Sequence, residues 1–214
     1  MMDRLDEIGD QIREFLEEKN AARDRALQGS RTLIRHCSKA IRAVHRDERE
    51  LAREHLDQAG GIVATLRQEL SDYPDLHHAG YTQSGLKEFA EANIFYAIAG
   101  DESIPHPDEL GVDYAAYLGG LGEAAGELRR RVLDIIRHDE LARADYLLDA
   151  MDEIYGLLVT IDFPDAITGN LRRITDMVRG VTERTRGDLT TTRRQNELKR
   201  ALEAVEKKLD QAGK

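Results

Sequence analysis

The chain has 214 residues and a mass of 24.2 kDa, room for one large domain or two small ones. Hydrophobic residues make up 41% of it, enough to fill a core and exclude wholesale disorder, and no run approaches the roughly eighteen apolar residues of a membrane span. A net charge of −10 opposes phosphate binding unless the cations are gathered in one place, and a single cysteine, Cys37, excludes an internal disulfide and a thiolate metal site.

The N-terminus, MMDRLDEIGD, carries acids before any apolar stretch, unlike a secretory signal peptide, so a reduced, soluble, cytoplasmic protein is expected. Apolar residues then recur at helical spacing. Leu5, Ile8, Ile12 and Phe15 step by three and four, and Leu33, Ile34, Cys37, Ala40, Ile41 and Val44 continue the pattern in a second segment. Leu51, Leu56, Ala59, Ile62, Val63, Leu66 and Leu70 form a third, interrupted by Gly60 and Gly61. Further helical segments follow near 84–99, 113–137, 141–161 and 167–211. The four prolines, Pro74, Pro105, Pro107 and Pro164, all fall between these segments and mark three breaks. Strand-like alternation is missing. The pattern predicts an all-α, single-domain antiparallel helical bundle of about seven helices spanning 1–214, with antiparallel packing across short connections. The last segment carries Leu198, Ala201, Leu202, Val205 and Leu209 at helical spacing beyond what a compact bundle needs, which predicts self-association.

The cations are gathered. Residues 21–46 hold Arg23, Arg25, Arg31, Arg35, Lys39, Arg42 and Arg46 against the single acid Asp24. Arg31, Arg35, Lys39, Arg42 and Arg46 stack along one helix face, flanked by Ser38 and His45. A merely solvated face usually mixes signs, because opposite charges one turn apart stabilise a helix and like charges oppose it. An unmixed stripe points to a polyanion, with a phosphate backbone the natural candidate.

Two pairs of glutamates are out of place. Phe89–Ala99 reads FAEANIFYAIA, apolar nearly all round, yet Glu91 sits inside it and Glu88 lies one turn earlier on the same face. The segment 113–137 has an apolar stripe of Tyr114, Leu118, Leu121, Ala125, Leu128, Val132 and Ile135. Its other face holds Ala115, Ala116, Gly119, Gly122 and Gly126 instead of long charged residues, with Glu123 and Glu127 among them. Glycine costs a helix about 1 kcal/mol relative to alanine, so this row predicts close approach by another helix or a ligand. If the two helices face each other, four carboxylates converge, and they cannot all stay ionised in a dry site without a cation. The structural alternative is a buried Arg for each glutamate. Oxygen-only ligands select a hard ion such as Mg²⁺, whose bound water beside a phosphate is the basis of hydrolytic cleavage. A di-iron bundle would need Glu-x-x-His pairs, which neither segment has.

The remaining candidates carry less. Tyr81, expected in the loop before the first glutamate helix, is a candidate for stacking on an unpaired base. His77 and His78 follow Pro74 and are expected on the surface, pointing apart. Cys37 falls on the apolar face of its helix and reads as core.

Four stretches in this order resemble the translin superfamily, specifically the nuclease branch of translin-associated factor X (TRAX). They are RALQGSRTLIRHCSKAIRAVHR, LKEFAEANIFYAI, VDYAAYLGGLGEAAGELRR and FPDAITGNLRRITDMVRGVTERTRGDLTTTRRQNELKRAL. The resemblance implies an all-helical subunit that assembles into a hollow octamer and binds single-stranded RNA or DNA. In the TRAX branch it further implies an inner acidic cluster that binds Mg²⁺ or Mn²⁺ and cleaves RNA. The family's first acidic pair falls on Glu88 and Glu91, and its second on Glu123 and Glu127, with Glu at 123 where relatives can carry Asp. The family's basic region matches Ser30, Arg31, Ser38, Lys39 and Arg42. The chain is shorter than multicellular relatives between Ile98 and Asp113 and shows no nuclear-localisation cluster, which favours a homo-oligomer.

The expectation is a Mg²⁺-dependent (or Mn²⁺-dependent) endoribonuclease acting on single-stranded RNA, with Glu88, Glu91, Glu123 and Glu127 as the metal-binding and catalytic carboxylates. Arg31, Arg35, Lys39, Arg42, Arg46 and Tyr81 are the candidate RNA-binding residues. The alternatives are a non-catalytic RNA- or DNA-binding protein of the translin type and a helical scaffold whose basic stripe meets an acidic protein.

Overall fold

The computed structural model describes residues 2–212 of the chain, with side chains described from 4 to 211; Met1 at the head of the chain and Gly213 and Lys214 at the end of the tail lie outside the described residues. Among the described residues every regular element is helical. The long helices are α1 (Met2–His45), α2 (Arg49–Glu69), α4 (Gly80–Ala99), α6 (Tyr114–Ile135), α7 (Leu141–Val159) and α9 (Leu171–Ala212). Single-turn helices α3 (Pro74–His77), α5 (Pro107–Leu110) and α8 (Asp165–Thr168) occupy the connections, and a short 3₁₀ turn, Ile136–His138, follows α6. None of the described helices is long and apolar enough to cross a membrane.

The breaks follow the prolines. Pro74 and Pro107 open α3 and α5, and Pro164 caps α8. Gly111 and Gly169 end α5 and α8 at φ of +65° and +64°, a backbone conformation that glycine adopts without strain. The first two periodic segments fuse into the single helix α1, because no proline separates Phe15 from Leu33.

Helix directions can be read from contacts. Helices α1 and α2 are antiparallel, with Gly29 against Leu66 and Arg25 paired to Glu69. The same holds for α7 and α9, where Arg186 reaches Asp152 and Arg193 reaches Asp145. Helices α4 and α6 instead run the same way, because the 100–113 connection carries the chain back along the bundle before α6 begins. Their seam leaves no room for a side chain at Gly120. A Cβ placed on Gly120 would lie 2.6 Å from the Ala90 Cβ, 2.8 Å from the Glu91 nitrogen and 2.9 Å from the Lys87 carbonyl oxygen. Backbone cannot move aside as a side-chain tip can. Gly120→Ala is therefore expected to lower stability by about 1–3 kcal/mol. The check is a lower urea midpoint at unchanged slope; an unchanged midpoint would mean that the seam can widen freely.

The buried apolar side chains form one contiguous cluster that includes Cys37, Phe95, Leu121, Leu128, Met151 and Val178. Helix α4 is buried along most of its length, as its all-round apolar character predicts. The first part of α1 and the last part of α9 escape this core. On α1, Leu5, Ile8, Ile12, Phe15 and Leu16 are exposed, and on α9 so are Leu198, Leu202, Val205 and Leu209.

A candidate carboxylate site between two helices

Glu88 and Glu91 come from α4, and Glu123 and Glu127 from α6; all four are partly buried. Burial, then Glu123, Glu127 and Glu88 in that order, push the Glu91 carboxyl up to about 8. Burial and then Glu123 raise Glu88. All three other glutamates therefore act on Glu91, and the four side chains share one neighbourhood. Beneath them lies Cys37 of α1, whose thiol is held far above its usual range by burial first and by Glu88 and Glu91 next. Such a thiol stays protonated and inert, as expected of a core residue.

The partners divide the four into two kinds. Glu123 forms an ion pair with Lys87 of α4. Glu127 meets His45 Nε2 at 2.5 Å and Arg130 Nη1 at 3.8 Å. Glu88 and Glu91 have neither an ion-pair nor a hydrogen-bond partner among the described residues. A buried Arg for each glutamate is thus not what the structure contains. His45 is fixed in turn: its ring lies 4.9 Å from that of Phe95, and its carbonyl accepts a hydrogen bond from Arg131 at 3.2 Å. The sequence offered a signal for both missed partners. Lys87 stands one turn before Glu91, and His45 one turn after Arg42.

The small residues of α6 do three different things. A Cβ at Gly119 or Gly120 would strike α4, and one at Gly122 would lie 2.1 Å from the Ile174 Cγ2 of α9. A Cβ at Gly126 would meet nothing within 4 Å, so space is open beside Glu123, one turn away. The expected close approach of another helix is thus met at Gly119, Gly120 and Gly122, and Gly126 faces open space. Tyr114, expected in the apolar stripe of α6, is instead 65% exposed. It stands at the first turn, beyond the reach of the core.

Four oxygen donors, two of them uncompensated, suit a hard divalent cation by their chemistry. Their oxygens are not drawn into one tight knot, however. Among the described residues, the set of three metal-capable side chains whose ligand atoms all lie within 4.8 Å of one another is His77, His78 and Asp113. The two histidines, expected to point apart, both turn toward Asp113: His77 Nε2 is 3.0 Å and His78 Nδ1 4.0 Å from its Oδ2.

Arg31, Arg35, Lys39 and Arg42 are exposed along α1 and Arg46 in the turn just past its end, and none of the five has an acidic partner among the described residues. Several arginines elsewhere are engaged: Arg49 and Arg53 with Glu102, Arg129 with Asp188, Arg131 with Asp47 and Arg143 with Asp101. The contact between His45 and Glu127 sets the C-terminal end of this stripe beside the carboxylates. Tyr81 needs correction. It lies not in a loop but in the first turn of α4, partly buried against the core, with its hydroxyl buried and unpartnered.

No family model matches the chain. An uncharacterized protein of Methanocaldococcus jannaschii, MJ0175, is 32% identical over 199 residues, covering 92% of this chain and 88% of that protein. Among solved structures, AfC3PO is 31% identical with a TM-score of 0.80, over 86% of this chain and 96% of that one. AfC3PO in a complex with duplex RNA matches at 30% identity and a TM-score of 0.79, over 86% of this chain and 95% of that one. NeC3PO, at 24% identity and a TM-score of 0.73 over 88% of this chain and 96% of that one, shares the fold.

Proposed function

The chain belongs to the translin superfamily, and from that premise we propose that it is a divalent-metal-dependent endoribonuclease acting on single-stranded RNA. One observation supports this above the others: Glu88 and Glu91 stand partly buried and unpaired opposite Glu123 and Glu127. A purely structural seam gains nothing from such carboxylates, since uncompensated charge in a half-dry site costs stability. Glu88, Glu91, Glu123 and Glu127 would hold Mg²⁺ or Mn²⁺. A bound ion supplies Lewis-acid polarisation of a phosphate and a water that is nucleophilic near neutral pH. The chain's own groups prepare that chemistry. Glu91, which keeps its proton near neutral pH without a cation, must release it to become a ligand. Lys87 and His45 fix the Glu123 and Glu127 carboxylates in place, as outer partners do at metal sites. Gly126 leaves room beside them.

RNA as the ligand class is supported by the AfC3PO complex with duplex RNA and by the unpaired stripe on α1. Changing Arg35, Lys39 and Arg42 together to Ala should weaken binding across RNA sequences. The dependence of log affinity on log salt should flatten by about 2, roughly 0.7 for each lost contact to a single strand. Unchanged affinity and slope would leave the stripe as solvated surface or subunit contact. Preference for the single strand, and the place of single-stranded DNA as a further ligand, are read by comparing single strand, duplex and DNA of one sequence in the same titration.

A second reading, a non-catalytic RNA- or DNA-binding protein, is favoured by one feature: Lys87 and His45 already engage two of the four carboxylates. Cleavage assays separate the two.

Self-association is part of the same proposal. The exposed apolar residues on the projecting ends of α1 and α9 would be covered by further copies in a homo-oligomer, an octamer on the family's pattern. Its cations would line an enclosed space and its excess acid would face the cytoplasm. Light scattering in physiological salt should give eight times the 24.2 kDa of the chain. A mass of one chain with full activity would contradict an enclosed site.

A further inference from the structure

We propose that His77, His78 and Asp113 form a second cation site, separate from the four glutamates, for a borderline divalent transition ion such as Zn²⁺. His77 ends α3, His78 follows it, and Asp113 immediately precedes α6. One ligand atom from each lies within 4.8 Å of the other two, with 3.0 Å from His77 Nε2 and 4.0 Å from His78 Nδ1 to Asp113 Oδ2. Ligands about 2.0–2.1 Å from a tetrahedral zinc sit a little over 3 Å apart, so small side-chain adjustments would close the set around an ion. Two imidazoles and one carboxylate favour zinc or cobalt over Mg²⁺, which prefers oxygen alone.

Two further features distinguish the cluster from an ordinary ion pair. Asp113 occupies the N-cap position of α6, where a carboxylate usually accepts hydrogen bonds from the first turn, yet its side chain makes no cap. It turns away to accept a hydrogen bond from Gln83 Nε2 at 2.7 Å, and the same nitrogen donates to the His77 carbonyl at 3.0 Å. Gln83 thus holds both the carboxylate and the histidine backbone, the arrangement that outer partners give to metal ligands. The mostly exposed His78, which an ion pair between His77 and Asp113 does not require, faces the same oxygen. His78 and Asp113 also line two clefts, of about 520 Å³ and 760 Å³, the second reaching Lys87. The remaining coordination position would therefore be open to water or a small ligand. An ion here would tie the turn before α4 to the start of α6, the two helices that carry the glutamates.

The test uses the full-length protein stripped with chelator and titrated with Co²⁺ alone, followed by the ligand-field absorption of the bound ion and its displacement by Zn²⁺. In a Glu88→Gln, Glu91→Gln background, which disables the carboxylate site, one Co²⁺ per chain is expected, displaced by Zn²⁺. His78→Ala and Asp113→Asn should weaken binding at least tenfold, and Gln83→Ala about 10–100-fold. The parent should take up further Co²⁺ at its carboxylates, while the absorption of the histidine-ligated ion should be the same in the parent and in the Glu88→Gln, Glu91→Gln variant. Because His78 is mostly exposed, His78→Ala should keep the helical circular dichroism of the parent, so a loss of binding there is not a loss of fold. Absence of bound Co²⁺ would overturn the proposal. So would binding that survives His78→Ala and disappears in the glutamate variant. The readout is spectroscopic, so its failure is distinct from a failure to cleave RNA.

Discussion

A Glu91→Gln, Glu123→Gln double variant should bind single-stranded RNA normally and lose Mg²⁺-dependent cleavage almost completely. The loss should exceed the roughly 10–100-fold that removal of an outer partner costs at a metal site, because two direct ligands are removed. Gln keeps the size and hydrogen-bonding capacity of Glu, so the α4–α6 seam stays packed while two negative charges leave it. The stripe on α1 lies on a different helix and is untouched. Single-turnover cleavage at saturating enzyme, alongside equilibrium binding, separates the two effects. Parental cleavage by a folded double variant would remove the glutamates from the chemistry.

The second large effect concerns stability. In the metal-free protein, stability should decline as pH rises from about 5 to about 8. The native Glu91 carboxyl is raised to about 8 from its ordinary 4.5, so over this window the native state holds a proton that the unfolded chain has released. Its contribution is fully present below the ordinary value and is lost as pH climbs through the raised one. Glu88 shifts in the same direction. With allowance for the partial exposure of the site, the loss amounts to roughly 2–4 kcal/mol. Urea unfolding in EDTA at several pH values measures it. Glu91→Gln should flatten the profile, and Mg²⁺ should restore the parent at the alkaline end by binding the native state. A flat profile in the parent would mean that Glu91 is solvated like a surface carboxylate.

Helical periodicity and proline placement made the fold legible, since apolar spacing and chain breakage are local properties. Two acidic pairs in otherwise apolar or glycine-rich helices were legible for the same reason. Contacts between distant segments were not. Lys87 against Glu123 and His45 against Glu127 depend on how α1, α4 and α6 are laid side by side. Gly120 reads as one glycine among several until α4 is in place, when it becomes the position with no space for a methyl group. Tyr81 was misplaced because α4 begins at Gly80, before the periodic apolar run starts. The junction of His77, His78 and Asp113 joins positions far apart in sequence, and its only local sign, a histidine pair after a proline, suggested a surface turn.

The central claim, that the α4–α6 carboxylates support metal-dependent RNA cleavage, is tested most directly with the parent protein and end-labelled single-stranded RNA. One sample receives Mg²⁺, one EDTA, and one EDTA followed by excess Mg²⁺, with binding measured in all three. Discrete fragments in the first and third and intact, bound RNA in the second are expected. RNA that is bound but never cut with Mg²⁺ or Mn²⁺, or cut equally well in EDTA, would contradict it.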